Sequence, residues 1–486
     1  MSAVIRHLAI VLIGLSILMV LPAMMALADA DRSVAAAFIT PAILAAGLAG
    51  AIIIALRGLA PPLSRVGSLF LIIITWPCLA LVAALPLARI SALTFGSSVF
   101  ECLSALTTTG MSLIVDLDSQ PAAILFWRAL LQWYGGALTL VMMTLLLAPM
   151  AVGGLPHRRI SLVSRTRARF GGPIAHQVQI ILTAYGSTTL ACMVWLIASG
   201  VKPSEAVFLA LSTLSTGGMT ARAGPLDSYI PVFGQIGLIV FMILGATSIL
   251  WQGMILRRDT HQLLRHRESY AVIGAVFAVG LVLAELYHLA AGKGLANLPT
   301  SLIEGLFAGA SLISTTGFHV REESFSVLPL TVLFLCALIG GGAMSTAGGL
   351  KMFRFGVLLR QAERELSKSL FPHGVKTTRA GGHVWIDDDV RGIYAMVVAS
   401  VLVLAFTGAG LAVAGVPFSP AFAAALAAFS NIGPLYGAGP IAAEPWPALS
   451  SLPAYGLGIL GIAMVAGRIE VLALFGVLNI AYWRNR

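Results

Sequence analysis

The sequence predicts an all-α polytopic membrane protein. It is expected to contain four pseudo-fourfold helix–pore-helix–helix repeats around a central pore, plus two extra N-terminal transmembrane helices. Two observations carry this prediction: an apolar composition, and a short glycine-containing segment that recurs four times. Of the 486 residues, 58% are hydrophobic and 10% are charged, and the mean hydropathy is +0.94. So few charges could not cover the surface of a water-soluble protein of this length, and that class is excluded.

The transmembrane helices are predicted from apolar runs of about 20 residues or more, the length that crosses a bilayer. The first run begins with MSAVIRHLAI and continues to Ala28, which favours a retained helix over a signal peptide. The first two runs stand outside the repeats. The ten predicted spans are 8–28, 36–56, 66–88, 122–150, 178–200, 231–256, 270–291, 327–361, 393–415 and 453–480.

The placement of charge predicts the orientation of the chain, whose net charge is +10. With the N-terminus in the cytoplasm, ten crossings put every basic stretch and the C-terminus on the cytoplasmic side, as the positive-inside rule requires. Because the basic residues then act as membrane anchors, we expect no nucleic-acid partner. The basic stretches contain Arg57 and Arg65, 157–169, 257–267, 351–379 and 483–486.

Four shorter apolar segments lie between the spans and are predicted to be pore helices that enter the membrane without crossing it. Each has roughly three helical turns and ends, on the outer side, in a polar loop with a glycine. The reference glycines are Gly110, Gly217, Gly317 and Gly433, spaced 107, 100 and 116 residues apart. The segments are TFGSSVFECLSALTTTG, KPSEAVFLALSTLSTGG, SLIEGLFAGASLISTTG and PFSPAFAAALAAFSNIG.

This recurrence divides the chain into five parts. Each repeat consists of a long helix, a pore helix with its polar loop, and a second long helix. The predicted parts are 1–60 for the two N-terminal helices, 61–160 for repeat 1, 161–265 for repeat 2, 266–380 for repeat 3 with a broken last helix, and 381–486 for repeat 4.

The polar loops are predicted to form an ion-selectivity filter. Irregular backbone inside a membrane is tolerated only where protein or a water-filled path satisfies it, and carbonyl rings can replace the water shell of a monovalent cation. Glycine permits the φ values that turn carbonyls toward one axis, and the pore helices aim their negative dipole ends at the ion. One such loop would be an ordinary helix-ending turn, but four at equivalent places favour a filter. The predicted ion-binding residues are Thr108, Thr109, Gly110, Ser215, Thr216, Gly217, Thr315, Thr316, Gly317, Asn431, Ile432 and Gly433.

These loops and their flanking motifs resemble those of the Trk/Ktr/HKT superfamily of potassium transporters, and most of all its bacterial Trk-type pore subunit. The resemblance covers nearly the whole chain, and the two extra N-terminal helices fit the Trk type. The fourth loop departs from the family pattern because no second glycine follows Pro434, and FHVREESFSVLP after the third loop matches only loosely. The motifs that carry the resemblance are TTTGM with WRALLQWYGG (127–136), STGGM with FMILGA (241–246), STTGF, NIGP, GGGAMSTAGG (340–349) and GRIE (467–470).

The resemblance implies potassium uptake by a multi-pass protein of the bacterial inner (plasma) membrane. In this family a serine at the first filter glycine accompanies sodium transport, so Gly110 implies potassium, with rubidium admitted. The resemblance also implies a homodimer in membrane lipid and a cytosolic, nucleotide-binding regulatory subunit of the TrkA type that meets the basic loops. Neither an enzymatic activity nor a covalently bound cofactor is expected.

A glycine-rich stretch inside the eighth predicted span is expected to be unwound, because five glycines within ten residues disfavour a helix. The alternative is a close helix crossing of small residues. The resemblance favours a gate below the filter that blocks or opens the path. The predicted gate residues are Gly340, Gly341, Gly342, Ala343, Met344, Ser345, Thr346, Ala347, Gly348 and Gly349.

Arg468 lies within the last predicted span, where a charged side chain is costly and needs a partner or a wet cavity. Pairing with Glu470 is unfavourable, because residues two apart in a helix do not face each other. The resemblance implies that Arg468 projects into the pore below the filter, where it would act as an electrostatic barrier that limits flux.

Two other functions stay open at this stage. A sodium- or proton-coupled potassium symporter of the same fold is not distinguished from a gated pore by the sequence. An intramembrane serine protease is the more remote alternative, with GASL (309–312) as its serine loop and His288 or His319 as its base. A catalytic serine would occur once in the chain, whereas Ser311 aligns with Ser104 of another repeat.

Replacement of Gly110 by serine is expected to admit sodium, because a side chain at this position would displace a carbonyl group and change the ion cage. The measurement is sodium flux together with growth of a potassium-uptake-deficient host at low potassium. Full retention of potassium preference in Gly110→Ser would show that the filter assignment is wrong.

Overall fold

The fold is helical throughout the part of the chain that the computed structural model describes. Within that part, the only strands found form an antiparallel hairpin of two-residue strands, β1 (Arg379–Ala380) and β2 (His383–Val384). The basic stretch 157–169 and the domain boundaries at 60 and 160 lie outside the described residues. The described residues are 1–59, 62–150, 173–290, 297–321, 324–325, 328–370, 379–380, 383–384, 387–437 and 446–478.

The two N-terminal helices, α1 (Ser2–Ala28) and α2 (Arg32–Ala55), pack along each other as the predicted hairpin outside the repeats. The Asp31 carboxylate caps α2 by accepting the N–H groups of Val34 and Ser33, each at 3.0 Å. The hydrogen bond from Val34, followed by that from the Ser33 hydroxyl, lowers the pKa of Asp31. The cap thus fixes the sharp turn between the two helices.

Four groups of helices follow, and each has the predicted order of a long helix, a short pore helix and a further long segment. The first long helix of a group delivers the chain to the face of the molecule at which the pore helices begin. The helices are α3 (Arg65–Ile90), α4 (Phe95–Leu106) and α5 (Ala122–Met142); α6 (Pro173–Ala198), α7 (Pro203–Ser215), α8 (Val232–Ala246), α9 (Ile249–Leu256) and α10 (Thr260–Arg265); α11 (Arg267–Ala290), α12 (Leu298–Ile313), α13 (Leu330–Ile339) and α14 (Met352–Leu370); and α15 (Asp387–Val413), α16 (Phe418–Phe429), α17 (Pro434–Gly437), α18 (Ala454–Arg468) and α19 (Val471–Leu478).

The pore helices are α4, α7, α12 and α16, and their local sequences explain where they begin. Thr94 caps α4 by accepting the Ser97 N–H, while Pro203 starts α7 and Pro417 immediately precedes α16. A proline at a helix start loses no hydrogen bond, because the first N–H groups of a helix have no intrahelical partner. All four helices were predicted at these places, and this part of the fold prediction is confirmed.

Seven described helices are long and apolar enough to cross a membrane, but three of the ten predicted spans are not continuous. The break at 340–351, between α13 and α14, was expected. The breaks within the spans predicted at 231–256 and 453–480 were not: α8 and α9 meet at 112°, and α18 ends at Arg468 before Glu470 adopts a φ of +64°. Neither of these two breaks could be predicted from the sequence, because no proline or glycine cluster occurs at either place.

Burial is arranged as a membrane protein requires. Large apolar side chains on α1, α2, α11 and α15 are exposed, whereas the ends of the pore helices, with their serine and threonine side chains, are fully buried. In a bilayer the exposed apolar faces meet lipid, and the polar groups are shielded by protein. The polar loops therefore lie at the centre of the molecule.

Close approach of α11 and the pore helix α12 depends on three glycines. A Cβ added to Gly309 would lie 2.6 Å from the Gly280 nitrogen, and one added to Gly305 would overlap the backbone of Ala284. A Cβ added to Gly280 would in turn lie 2.9 Å from Leu306 Cα. Small residues at such crossings let two membrane helices pack backbone against backbone. The position of the third pore helix is thus set by glycine.

Gly305→Val is expected to lower the thermal unfolding midpoint of the detergent-solubilised protein, because overpacking of a tight helix crossing typically costs about 1–3 kcal/mol. Gly274→Ala on α11 is the matched control, since a Cβ there meets nothing within 4 Å. Equal midpoints for the two variants would contradict the crossing assigned to Gly305.

Candidate ion-conduction site

The four pore helices end in the same backbone motif. At the end of α4 the Thr108 N–H donates to Ala105 O (2.9 Å), and the Thr109 N–H donates to Ser104 O (2.9 Å). This pair of bonds is a Schellman motif, which satisfies carbonyl groups that a helix end would leave unpaired. The equivalent donors are Thr216 and Gly217 on α7, Thr315 and Thr316 on α12, and Asn431 and Ile432 on α16.

One residue at the end of each pore helix is left-handed, although none of the four is glycine. The φ values are +54° at Thr108, +54° at Thr216, +58° at Thr315 and +52° at Asn431. A β-branched residue in this region costs about 1–3 kcal/mol and persists only where the surroundings impose it. Asn431 adopts this region more readily than a threonine does. Such strain concentrates at functional sites, so its recurrence at the three threonines marks this region as the candidate site.

The hydrogen bonds also define the register of the repeats, and the second repeat differs from the sequence-based prediction by one residue. Gly217 corresponds to Thr109 in this register, and Gly218, not Gly217, corresponds to Gly110. Ser215 is the last residue of α7 and precedes the equivalent positions. Two adjacent glycines made the reference residue ambiguous, and the bond pattern resolves it. We call 108–110, 216–218, 315–317 and 431–433 the first to fourth filter segments.

The four filter segments lie in mutual contact, and glycine permits their approach. A Cβ on Gly110 would overlap the Gly217 carbonyl oxygen, and one on Gly218 would overlap the Thr316 carbonyl oxygen. A Cβ on Gly317 would lie 3.0 Å from Pro434 Cδ. The first and fourth segments are joined directly, since the Gly433 N–H donates to Thr109 O at 2.6 Å. All twelve residues predicted to bind ions are buried in this cluster.

The hydroxyl groups of the segments do not form one uniform layer of oxygen atoms. Thr109 Oγ1 pairs with Thr107 Oγ1 (2.8 Å), and Thr316 Oγ1 pairs with Ser314 Oγ (2.7 Å), so both turn back toward their pore helices. The Thr315 hydroxyl accepts the Gly348 N–H at 2.7 Å. Backbone carbonyl groups, rather than threonine hydroxyls, are therefore the oxygens that all four segments share.

A cavity of about 870 Å³ opens on the face at which the pore helices begin, and its floor is formed by the filter segments. Gly110, Gly218, Gly317 and Gly433 all line it, one from each segment. The cavity gives water and ions a path to the segments from that face.

Three arginine–glutamate pairs brace the loops around this cavity. Arg128 Nε lies 2.9 Å from Glu101 Oε1, and both side chains are buried. Glu101 Oε2 also accepts the Leu113 N–H at 2.7 Å, and Arg128 Nη2 donates to Ser112 Oγ at 2.9 Å, so the pair holds the chain that leaves the first segment. The other two pairs are Glu205 with Arg222 (2.6 Å) and Glu304 with Arg321 (2.7 Å).

These pairs were not predicted, although the sequence contains a signal for two of them. Arg222 and Arg321 each follow their glutamate by 17 residues, in corresponding loops of repeats 2 and 3. The pair of repeat 1 breaks this spacing, because Arg128 lies on α5 rather than in the loop.

The glycine-rich stretch is buried and irregular, as predicted, and lies directly against the pore helix ends. The Thr346 hydroxyl donates to Leu214 O on α7 at 2.9 Å, and the Gly348 N–H donates to the third filter segment. A Cβ on Gly348 would overlap the Ser430 carbonyl oxygen, next to the fourth segment. We call residues 340–351 the intramembrane loop.

The intramembrane loop also pairs with the unexpected break between α8 and α9. The Gly342 N–H donates to Ala246 O (2.8 Å), and the Ile249 N–H donates to Met344 O (2.9 Å). Gly245 O accepts both the N–H and the hydroxyl of Thr346. Each irregular segment thus satisfies the other, which explains why a helix breaks at a place without proline.

Arg468 is buried and contacts the intramembrane loop. Its Nη1 donates to Thr346 O at 2.5 Å, and its Nε donates to Thr139 Oγ1 on α5 at 2.7 Å. Glu470 instead pairs with Arg354 at 2.6 Å, so the alternative of an Arg468–Glu470 ion pair is excluded. Because the guanidinium joins α5 to the loop, Arg468 has a positioning role that was not foreseen from the sequence.

The serine that suggested a protease has a structural role in this site. Ser311 Oγ donates to Phe318 O at 2.7 Å, and Ser104 Oγ donates to Met111 O at the same distance. Both hydroxyls close the loop that follows a filter segment, in equivalent places of two repeats. This duplication is typical of an architectural residue and not of a nucleophile.

Four re-entrant helices whose backbone ends meet at the floor of one cavity are the architecture of a polytopic ion transporter. The family model described as "TrkH: Cation transport protein" matches residues 68–480, and the chain belongs to this family. This match confirms the resemblance to the Trk-type pore subunit that the sequence motifs indicate. The chain is a transporter rather than an enzyme.

Similar proteins cover nearly the whole chain. The Trk system potassium uptake protein TrkH of Salmonella typhimurium is 30% identical over 431 residues, which are 87% of this chain and 86% of that protein. TrkI of Halomonas elongata, also a Trk system potassium uptake protein, is 28% identical over 499 residues, with 100% and 97% covered. The crystal structure of the potassium transporter TrkH from Vibrio parahaemolyticus superimposes with a TM-score of 0.85 at 25% identity, over 99% of both chains.

Glu101→Ala is expected to destabilise the protein, because it leaves Arg128 as an uncompensated buried charge, at a cost of about 3–5 kcal/mol. Glu363→Ala is the matched control. Its partner Arg360 is 60% exposed and Glu363 is 64% exposed, so that loss should stay below about 1 kcal/mol. Thermal unfolding in detergent measures both, and equal midpoints would argue against the bracing role of Glu101.

Proposed function

We propose that the protein takes up potassium across the bacterial inner membrane through a carbonyl-lined selectivity filter. The observation that carries this proposal is the fourfold Schellman ending of the pore helices, which brings four irregular segments together beneath one cavity. Shared backbone carbonyl groups in a buried site are suited to replace the water shell of a monovalent cation. The relatives named as potassium uptake proteins favour potassium as that cation, with rubidium as a substitute.

The intramembrane loop is proposed to be the gate. Its contacts with the end of α7 and with the third filter segment support this role, because a movement of the loop would be felt at the filter. Opening would break the bonds that Gly342, Met344 and Thr346 share with the α8–α9 break. Since Arg468 donates to Thr346 O, it would hold the loop closed and also present a positive charge to a passing ion.

In the proposed orientation the termini are cytoplasmic, and the cavity faces outward. Arg257, Arg258, Arg265 and Arg267 are exposed around α10, at the end of the molecule away from the cavity. The neighbouring α14 presents charged side chains to solvent, including the exposed pair of Arg360 and Glu363. We propose that these surfaces meet a cytosolic, nucleotide-binding regulatory subunit, and that the protein works as a homodimer in the lipid membrane.

Potassium and sodium flux into vesicles that contain only the purified protein tests this function. A potassium or rubidium flux that clearly exceeds the sodium flux is expected. Imposed sodium and proton gradients in the same vesicles distinguish a gated pore from a coupled symporter, because only the symporter would move potassium against its own gradient. Equal potassium and sodium flux would refute the proposed selectivity.

Arg468→Ala is expected to raise potassium flux and to leave ion preference nearly unchanged, since it removes both a charge and a bond to the loop. A unit positive charge a few ångströms from the ion path raises the energy of a passing cation by several kcal/mol at an effective dielectric near 20. Removing this charge is therefore expected to raise the potassium flux by about tenfold or more. Thr139→Val is the matched control, because it removes the other Arg468 bond but keeps the charge. A potassium flux below that of the wild-type protein, in normally folded Arg468→Ala, would show that Arg468 is not a barrier.

A further inference from the structure

Gln132 on α5 is an unusual residue, because its carboxamide is fully buried without a hydrogen-bond partner. Among the described residues, neither Oε1 nor Nε2 of Gln132 has a donor or acceptor, and the residue has no exposed surface. Leaving a buried amide unpaired is costly, and the great majority of buried polar side-chain atoms are satisfied. An apolar residue would avoid this cost, so the amide needs an explanation.

The carboxamide of Gln132 occupies the place of a missing side chain in the filter. A Cβ added to Gly217 would lie 2.8 Å from Gln132 Oε1 and closer still to its Cδ and Nε2. Gly217 has a φ outside the left-handed region, so its own backbone does not require glycine. The three atoms nearest to an added Cβ all belong to Gln132, so its side chain is the first obstacle to a larger residue at position 217.

The other three filter segments fill the equivalent place with their own side chains. Thr109, Thr316 and Ile432 correspond to Gly217 in the register of the pore helix ends. The hydroxyls of Thr109 and Thr316 bond to the residue two positions earlier, as described above. In the second repeat the residue two positions earlier is Ser215, whose hydroxyl bonds to carbonyl groups of α7 and finds no hydroxyl partner at Gly217. The polar group behind the second segment therefore comes from another helix.

Packing alone does not demand an amide at position 132. On α5, Gly135 packs against Leu106 O, and on α18, Gly467 packs against Phe429 O in the same way. Leu106 and Phe429 each lie two residues before the left-handed residue, so the two glycines are equivalent. Gln132 lies three residues before Gly135, and Met464 lies three residues before Gly467. The fourth repeat thus fills this position with an apolar side chain of similar size.

We infer that Gln132 is a positioning residue for ion selectivity, which holds the second filter segment by supplying the polar side chain that the segment lacks. The inference rests on the proposed function. Because the Gly217 carbonyl oxygen lies against Gly110, support behind Gly217 fixes where this oxygen sits relative to the first segment. When an ion draws the carbonyl groups toward it, the unpaired amide can bond to the peptide groups of the second segment. Cation selectivity depends on the number and placement of such carbonyl groups.

Gln132→Met tests the amide without removing volume, because methionine is an apolar side chain of similar size to glutamine. The expected result is normal folding with a potassium-to-sodium flux ratio lowered by about fivefold, as for the loss of one hydrogen bond. Flux ratios are measured in vesicles and normalised to folded protein. An unchanged ratio in a folded Gln132→Met would overturn the inference.

A side-chain exchange tests the shared space independently. Gly217→Thr alone should fold poorly or lose flux, because its Cβ would collide with Gln132. Combining Gly217→Thr with Gln132→Ala should restore folding and flux. The hydroxyl of the new threonine can then reach Ser215, as the Thr316 hydroxyl reaches Ser314. A double variant no better than Gly217→Thr overturns the inference. The flux ratio of the wild-type protein, measured in the same vesicles, tests the proposed function separately. A wild-type protein without potassium preference would overturn the proposed function and not only this inference.

Discussion

The structure depends on one constraint: backbone that leaves the helical conformation inside a membrane must find its hydrogen-bond partners within the protein. Four pore helices end at the centre of the molecule, where water cannot freely solvate their last carbonyl groups. The Schellman bonds satisfy carbonyl groups at the end of each pore helix, where the chain continues as a buried, irregular segment of three residues. The left-handed threonines at Thr108, Thr216 and Thr315 are the cost of this turn, and the surrounding packing holds them there.

The same constraint explains why irregular segments occur next to one another. The intramembrane loop (340–351) could not lie in the membrane alone, and neither could the break between α8 and α9. Each supplies the donors and acceptors that the other lacks, through Gly342, Met344 and Thr346 on one side and Gly245, Ala246 and Ile249 on the other. A movement of the loop must therefore be accompanied by a change at this break, so the two act as one element. Arg468 adds a charged hydrogen bond that reaches this element from α18.

Much of the fold could be predicted from the sequence, because its strongest signals are local. Hydropathy located the long helices, and the short apolar segments with polar ends located all four pore helices and the unwound stretch at 340–349. The remaining features depend on contacts between residues on different helices. The break before Ile249 is stabilised by the intramembrane loop, and Arg128 finds Glu101 across two helices. The one-residue error at Gly217 arose because two adjacent glycines look alike in sequence, and only their hydrogen bonds separate them.

The four filter segments share a backbone but not their side chains: the equivalent positions hold Thr109, Gly217, Thr316 and Ile432. In an assembly of four identical chains, one substitution alters all four quarters of a filter at once. Here each quarter is encoded separately, so one substitution changes a single quarter and leaves the sequence of the other three unchanged. Ion preference in such a chain can drift in small inherited steps, and a loss in one quarter can be compensated by a neighbouring helix rather than by reversion.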